Sequence, residues 1–398
     1  MKIDAITPTA SVALADKARH LIRQNIPVVK LQTGDPDFST HPAIIEAAHR
    51  ALKEGHTHYS FASGLPELRE ALAQSVREEI REEKINSNFV LVTHGAAEGI
   101  YATFAALLEH NDDVIILEPN WPTVASLVTL LGGNPIKVSY LQEDDAIIEC
   151  LNKLRTPRTK ILCFNTPNNP TGMVLSERLL KRLVDWAAHF GIYVLADEVY
   201  RSLSFGLHQS SVLPWLLAYD KIIFVDSFSK KYAMAGWRIG YIIASPKIIE
   251  LIGKSSQLTI THVAPFVQYG ALEALRNKEV AQYVQTMKQG YLERRNQGIA
   301  ICGRLGLTVL PPDGAFYLFI HLGVGVDDSA FAATLLEKAR VCVVPGSAYG
   351  EAGRGYIRVT YAAPISDLIL GLEKIGEHCL SDTFLHNYTS VENKEVKQ

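Results

Sequence analysis

The chain has 398 residues, with 39 lysines and arginines against 42 aspartates and glutamates and a formal net charge of −3. This balance lacks the basic excess that nucleic-acid-binding proteins use, and no apolar run approaches the ~18 residues of a membrane span. We therefore expect neither nucleic acid nor a membrane as partner. The length allows one large and one small domain.

The cysteines and the first residues bear on the cellular compartment. The five cysteines, an odd number, are Cys150, Cys163, Cys302, Cys342 and Cys379. Their spacing matches no metal-ligand motif, so we expect free thiols in a reducing compartment and no metal site. Residues 1–5 lack the apolar core of a signal peptide. The sequence therefore predicts a cytoplasmic protein.

Short apolar strands alternate with helical patterns through the first two thirds of the chain. Strands are predicted at residues 89–93, 114–118, 160–164, 192–196, 222–226 and 240–244, with helices between them that include 98–108, 176–190 and 265–276. Strands that are apolar throughout are typical of a mainly parallel sheet covered on both faces. The alternation predicts an α/β fold, with functional groups at the carboxyl ends of the strands.

The last third of the chain predicts a smaller α+β domain. A charged helical stretch begins near residue 282, and strands are predicted at 308–310, 315–320 and 356–361. We expect a large domain at residues 45–285 and a small domain at 286–380 that includes the N-terminal segment 1–44. The polar, unpatterned residues 381–398 predict a disordered tail.

Small and polar residues follow the predicted strands. Gly95-Ala96-Ala97 joins a strand to a helix and exposes backbone N–H groups that suit a phosphate. The stretch from Asn165 to Gly172 is a rigid turn, and Asp197 leaves a buried strand, where a carboxylate is costly unless paired. Each motif alone is equally consistent with an ordinary turn, core residue or surface charge.

A lysine and an arginine share a Ser- and Gly-rich turn after the strand at 222–226. Residues 227–240 read Ser-Phe-Ser-Lys-Lys-Tyr-Ala-Met-Ala-Gly-Trp-Arg-Ile-Gly. A lysine at the exit of a buried strand, here Lys230, can form an imine with an aldehyde cofactor. Ser227, Ser229 and Arg238 are suited to hold that cofactor's phosphate.

Together these segments, from about residue 10 to about residue 375, resemble the class I and II pyridoxal-phosphate (PLP) aminotransferases. The resemblance is nearest to the prokaryotic aspartate aminotransferase branch. It implies fold type I, with a large domain built on a mainly parallel sheet and a smaller α+β domain. It also implies PLP as cofactor and ping-pong transfer of an amino group from an L-amino acid to a 2-oxo acid.

The resemblance assigns roles residue by residue. Lys230 matches the Schiff-base lysine and general base, Asp197 the partner of the pyridine nitrogen, and Arg358 the arginine that grips the substrate α-carboxylate. The other matches are Asn169 and Tyr200 for the phenolic oxygen, Trp121 for ring stacking, Gly95, Ala96, Ala97, Ser227, Ser229 and Arg238 for the phosphate, and Gly34 with Asn169 for the substrate.

Tyr59 matches a tyrosine that reaches the phosphate of the neighbouring subunit, so the resemblance implies a homodimer with shared active sites. The segments 312–317 and 345–350 match small-domain segments that we expect to be structural.

In the resembling branch, the phosphate turn commonly carries a lysine that binds the distal carboxylate of the substrate. Here Ala97 stands at that position, followed by Glu98, which favours a neutral, aromatic or unusual amino acid; His94 is a weak substitute cation.

Other functions remain open from the sequence. An enzyme of the same fold that performs elimination, lyase or oxidase chemistry would share Lys230, Asp197 and Arg358. A regulator with an aminotransferase-like sensing domain would carry a basic DNA-binding module before the match, for which we expect no room. A dinucleotide-binding dehydrogenase is disfavoured because no Gly-x-Gly-x-x-Gly follows the early strands.

Overall fold

The computed structural model describes residues 10–206, 210–323 and 325–379. The tail expected at residues 381–398 lies outside them, as do the first nine residues of the N-terminal segment. No helix within the described ranges has the length and apolar character needed to cross a membrane. The same residues contain no cluster of side chains suited to hold a metal ion.

Strands and helices alternate along most of the chain. The strands are β1 Val29–Lys30, β2 Val90–Thr93, β3 Asp113–Glu118, β4 Asn134–Ser139, β5 Thr159–Asn165, β6 Tyr193–Asp197, β7 Ile222–Ser227, β8 Gly240–Ala244, β9 Thr308–Leu310, β10 Tyr317–His321, β11 Val341–Cys342, β12 Val344–Pro345 and β13 Tyr356–Thr360. The helices are α1 Ala10–Arg23, α2 Pro42–Lys53, α3 Pro66–Ile80, α4 Ala96–Leu107, α5 Thr123–Leu130, α6 Asp144–Leu154, α7 Glu177–Phe190, α8 Phe228–Lys231, α9 Pro246–Ile260, α10 Pro265–Arg276, α11 Lys278–Arg304, α12 Asp328–Thr334 and α13 Ile365–Cys379.

A seven-stranded sheet in the order β2-β8-β7-β6-β5-β3-β4 forms the centre of the larger part. Strand β8 runs antiparallel to both of its neighbours, and the other pairs are parallel, which confirms the expected mainly parallel sheet. The burial of β2, β3 and β7 along their whole length reflects helices packed on both faces.

Local sequence signals set the helix ends. Helix α7 begins after Ser176, whose side chain accepts a hydrogen bond from the backbone N–H of Leu179, and ends at Gly191 with φ at 68°. Asn277 caps the 27-residue helix α11 in the same way, accepting from the N–H groups of Glu279 and Val280. These caps satisfy donors that the first helical turn leaves unpaired.

The register of the parallel strands brings the predicted groups to one edge. Asn165 at the end of β5 lies opposite Asp197 at the end of β6, and Asp197 lies opposite Val225 of β7. The turn that carries Lys230 follows β7 directly. Carboxyl ends of parallel strands meet at one edge of a sheet, so these groups share a single crevice.

A second sheet, in the order β12-β13-β10-β9, carries Arg358 at the centre of β13, opposite Phe319 and Val344. The N-terminal segment joins this part of the molecule because β1 pairs with β11 and the N–H of Thr360 donates to the carbonyl of Leu31 (2.9 Å). The two sheets fall within residues 45–285 and 286–380. The domain boundaries themselves stay a prediction.

Helix α13 offers a matched test of the small core. Leu372 is fully buried, whereas Leu370, two positions away on the same helix, is 43% exposed. We expect Leu372→Ala to lower the free energy of unfolding by about 2–5 kcal/mol, because it removes packed methyl groups and leaves a cavity. Leu370→Ala should lower it by less than about 1 kcal/mol, measured by urea denaturation. Equal effects would contradict this packing.

Candidate active site

A cavity of about 530 Å³ opens where the carboxyl ends of β5, β6 and β7 face β13. Every predicted site residue except Gly95 and Tyr59 lines it; the lining members are Gly34, Ala96, Ala97, Trp121, Asn169, Asp197, Tyr200, Ser227, Ser229, Lys230, Arg238 and Arg358. Residues separated by more than 300 positions in the sequence thus converge on one space. A concave site with convergent polar groups is typical of a small-molecule enzyme.

Lys230 lies in the short helix α8, and its Nζ donates a hydrogen bond to the carbonyl oxygen of Gly34 (2.6 Å). Burial lowers the pKa of this amine to about 8; the nearby Asp35 raises it, and Arg358 and Arg238 lower it. A lysine with a lowered pKa loses its proton at milder pH than a surface lysine. Lys230 is therefore suited to act as a nucleophile or a base.

Asp197 is 6% exposed, and its Oδ1 accepts a hydrogen bond from the N–H of Val199 (3.3 Å). Burial raises the pKa of this carboxyl to about 7, and the neighbouring Asp226 adds to the rise, while Lys230 opposes it. A cationic N–H placed beside a buried carboxyl stabilises its ionised form. The position therefore fits a protonated ring nitrogen.

A further group of residues in the cavity wall is suited to bind an anion. Helix α4 begins after Gly95, whose φ is +78°, and a Cβ atom at that position would lie 2.9 Å from Nη2 of Arg238. Ser227 and Ser229 line the same cavity, and the Oγ of Ser227 accepts from the N–H of Ser229 (3.3 Å). A helix N-terminus, two hydroxyls and a guanidinium together fit a phosphate group.

Arg358 on β13 is 5% exposed and contacts both walls of the cavity. Its Nη1 donates to Oδ1 of Asn169 (2.8 Å), and its Nη2 donates to the carbonyl of Gln32. Its buried Nε makes no hydrogen bond to any of the described residues. A buried guanidinium with a free donor suits a carboxylate ligand.

Tyr200 follows β6, and its hydroxyl shares a hydrogen bond with that of Tyr317 (2.7 Å). The ring of Tyr317 faces the guanidinium of Arg358, whose carbon lies 4.3 Å from the ring centroid. Tyr349 also lines the cavity, with its ring centroid 5.3 Å from the same carbon. The sequence predicts a structural role for the segments that carry Tyr317 and Tyr349, whereas in the structure both tyrosines line the cavity.

Two predicted residues lie outside the cavity wall. Gly95 lies behind the wall, against Arg238, where its missing side chain makes room for the guanidinium. Tyr59 is 90% exposed, with its ring edge-on to His262 at 5.6 Å, and does not line the cavity. Its predicted contact with a neighbouring subunit stays a prediction.

Ala97 lines the cavity without contributing charge, as the sequence indicated. Glu98 turns away from it and accepts from the backbone N–H of His94 (3.1 Å) through Oε2. Burial and the nearby Arg238 lower the pKa of His94, which favours its neutral form. Arg19 on α1 reaches the cavity, but its guanidinium is paired with Asp16.

Comparison with known proteins shows the family of the chain. Residues 26–369 match the family model for class I and II aminotransferases, and the chain belongs to this family. The expected fold type I architecture and the expected transferase activity are therefore confirmed, and elimination, lyase or oxidase chemistry is not favoured. The roles of the individual residues stay predictions.

Named relatives fall on both sides of the substrate question. The aspartate aminotransferase of Pyrococcus horikoshii is 38% identical, over 87% of this chain and 90% of the relative. The aromatic-amino-acid aminotransferase 2 of Thermococcus litoralis is 34% identical over the same shares. The structure of aspartate aminotransferase from Thermus thermophilus with maleate has a TM-score of 0.88 and 34% identity, over 95% of this chain and 98% of that one.

The burial of Asp197 predicts how the stability of the cofactor-free protein depends on pH. Its folded-state pKa, about 7, lies above the usual 3.8, so burial costs nothing below pH ~4, where the carboxyl is protonated in both states. The cost grows as the pH rises and is complete above about pH 7. In cofactor-free protein, Asp197→Asn should therefore raise stability by about 1–4 kcal/mol at pH ~8 and by much less at pH ~4.

Thermal or urea unfolding at the two pH values measures this difference. Asp220→Asn, at an exposed position, is the matched control and should change stability at neither pH. A destabilised Asp197→Asn protein at pH ~8 would contradict the electrostatic reading of the site.

Proposed function

We propose that this aminotransferase binds PLP in the cavity and transfers the amino group of an uncharged, preferably aromatic, L-amino acid to a 2-oxo acid. When bound, PLP supplies an electron-withdrawing ring that makes the Cα–H bond of the amino acid acidic. The observation that carries the proposal is the convergence of Lys230, Asp197 and Arg358 with an anion site in one cavity. Residues of the chain bind the cofactor, orient the substrate and move the proton.

The residues present fit the cofactor at both of its ends. The phosphate is assigned to the N-terminus of α4, Ser227, Ser229 and Arg238, which together offer backbone, hydroxyl and guanidinium donors. Asp197 is assigned to the ring nitrogen because its buried carboxyl needs a cationic partner. Remaining contacts are assigned to Tyr200 and Asn169 at the phenolic oxygen and to Trp121 at the ring face.

Arg358 binds the substrate α-carboxylate in this proposal. Its unpartnered Nε, together with an Nη now bonded to the carbonyl of Gln32, offers two parallel donors to a carboxylate. Gly34 has no side chain, and its backbone lies next to both Lys230 and Arg358, so a substrate can approach closely. The amino acid is thereby oriented with Cα near Lys230.

Lys230 holds the cofactor and moves the proton at Cα. A base must be unprotonated when the substrate arrives, and burial favours the neutral amine. Its hydrogen bond to Gly34 can be given up without leaving a buried charge, since the acceptor is a neutral carbonyl. The same amine would carry that proton and give it back, and hydrolysis by water would then have to release the 2-oxo acid before one half of the ping-pong cycle is complete.

A homodimer is part of the proposal. Tyr59 is 90% exposed, and Phe61 and Leu258, at 59% and 89%, are also exposed hydrophobic residues. Exposed apolar side chains of this size are common at subunit interfaces. Tyr59 then extends to the phosphate site of the partner subunit.

All five cysteines are free, which supports a cytoplasmic location.

The walls away from Arg358 support an uncharged substrate side chain. Val12 and Ala15 of α1, Trp121 and Ala97 are apolar, and the guanidinium of Arg19 is already paired with Asp16. A second carboxylate placed against these apolar walls would lose its water, and the exposed Arg19, shared with Asp16, would compensate for little of that loss. Aromatic side chains gain most from such walls because they bury large apolar areas.

The central test adds single amino acids, without a 2-oxo acid, to PLP-loaded protein and records the absorbance spectrum. The expected result is conversion to the pyridoxamine band by aromatic or neutral amino acids. Lys230→Ala should lose at least about 10³-fold in rate, because the proton at Cα then lacks its acceptor. Lys231→Ala, which removes the adjacent amine near Tyr232, is the matched control and should keep its rate.

Release of ammonia or peroxide without the pyridoxamine band would overturn transamination in favour of elimination or oxidation. Full activity in the Lys230→Ala protein would overturn the assignment of the lysine.

Ala97 provides a test of substrate class. Ala97→Lys should raise kcat/KM for aspartate relative to phenylalanine about tenfold or more, since a cation then lines the cavity near the substrate. Ala97→Met adds similar length without charge and should leave the ratio closer to that of the parent protein. Steady-state rates with both amino acids measure it. A parent enzyme that already prefers aspartate would contradict the proposed substrate class.

A further inference from the structure

Tyr317 connects two groups that the proposed function uses for different purposes. Its side chain is fully buried in β10, its hydroxyl lies 2.7 Å from that of Tyr200, and its ring face packs on the guanidinium of Arg358. A Cβ atom at Gly34 would lie 2.6 Å from the Tyr317 oxygen, so the hydroxyl occupies space that only a glycine leaves free. The phenol is thus fixed from three sides.

The direction of the hydrogen bond follows from the surrounding charges. Burial raises the pKa of both phenols and Arg358 opposes the rise at each, while a carboxylate adds to it at each, Asp197 at Tyr200 and Asp35 at Tyr317. The geometry distinguishes them: the guanidinium carbon of Arg358 lies 4.3 Å from the ring centroid of Tyr317, and a cation in contact with a phenol makes it the stronger donor. When Tyr317 donates to the Tyr200 oxygen, the hydroxyl hydrogen of Tyr200 is available to an acceptor in the cavity.

We propose that Tyr317 is a positioning residue with two effects. Its hydroxyl directs the hydroxyl hydrogen of Tyr200 into the cavity, and its ring holds the Arg358 guanidinium in the orientation that binds the substrate carboxylate. The inference rests on the proposed function, because the acceptor for Tyr200 is the phenolic oxygen of PLP. The hydroxyl and the ring of Tyr317 act separately, since one contacts Tyr200 and the other contacts Arg358.

Tyr317→Phe separates the two contacts by removing the hydroxyl and keeping the ring face. One hydrogen bond corresponds to about a three- to tenfold change in an equilibrium or rate constant, so the rate of the amino-acid half-reaction should fall by about that factor. The balance of absorption bands of PLP-loaded protein near neutral pH should also change. Affinity for 3-phenylpropionate, a carboxylate without an amino group, should stay within about twofold because the cation–π contact remains.

Tyr361→Phe is the control for a purely structural role. Tyr361 is as fully buried as Tyr317, and its hydroxyl donates to the carbonyl of Ala315 (3.2 Å), outside the cavity. This variant should lower the melting temperature while leaving the spectrum and the half-reaction rate unchanged. If Tyr317→Phe changes the melting temperature alone, as the control does, the proposal is overturned.

A double-mutant cycle tests whether Tyr317 acts through Tyr200. Once Tyr200→Phe has removed the receiving hydroxyl, adding Tyr317→Phe should not lower the half-reaction rate further. Full additivity of the two losses in rate would overturn the proposal that Tyr317 acts through Tyr200. Gly34→Ala perturbs the same hydroxyl from the other side, because its Cβ would meet the Tyr317 oxygen; it should reproduce the spectral change. An unchanged spectrum in both Gly34→Ala and Tyr317→Phe also overturns the proposal.

These outcomes are distinct from failure of the proposed function. A parent protein that forms no absorption band with PLP, or that converts no amino acid, refutes the proposed function itself. A parent protein that binds PLP and transaminates, with Tyr317→Phe indistinguishable from it, refutes only the role given to Tyr317.

Discussion

The buried hydrogen bond from Arg358 to Asn169 (2.8 Å) is the interaction on which the site depends, because it joins the two sheets across the cavity. Arg358 stands on the smaller sheet, and Asn169 belongs to the turn that follows β5 of the larger one. The N–H of Asn169 is held in turn by Oδ1 of Asn165 (2.7 Å). A displacement of either part would leave Nη1 of this buried guanidinium without its acceptor, while Nη2 keeps the carbonyl of Gln32. A buried hydrogen bond left unmade is costly, so the cavity keeps its shape.

Glycines make this close approach of the two parts possible. The φ of Gly172 is +71°, and a Cβ there would lie 2.4 Å from Cβ of Pro312; at Gly314 it would lie 2.7 Å from Cβ of Pro167. Between them, the N–H of Gly314 donates to the carbonyl of Gly172 (2.8 Å). The dense Pro, Asn and Gly turn after β5 is therefore more than a local reversal: it is the surface on which the segment before β10 docks.

Sequence patterns predicted the buried elements well and the half-exposed ones poorly. Strands such as β7 are apolar throughout, and that pattern leaves few alternatives. Strand β4 was missed because it lies at the sheet edge, is mostly half-exposed, and carries Pro135, which is tolerated only there. Tyr317 was missed for a different reason: its place in an apolar strand reads as core, and only the fold reveals that its hydroxyl meets Tyr200.

The electrostatics of the cavity link ligand binding to the strength of the base. Burial is the main cause of the lowered pKa of Lys230, and Asp35 opposes it. The positive charges of Arg358 and Arg238 lower the pKa further. An anion bound to either arginine offsets its charge and raises the proton affinity of the amine. A phosphate on Arg238 and a carboxylate on Arg358 would therefore both strengthen the base. Burial, which favours the neutral amine, and bound anions, which favour the protonated one, thus act in opposite directions on the pKa of Lys230.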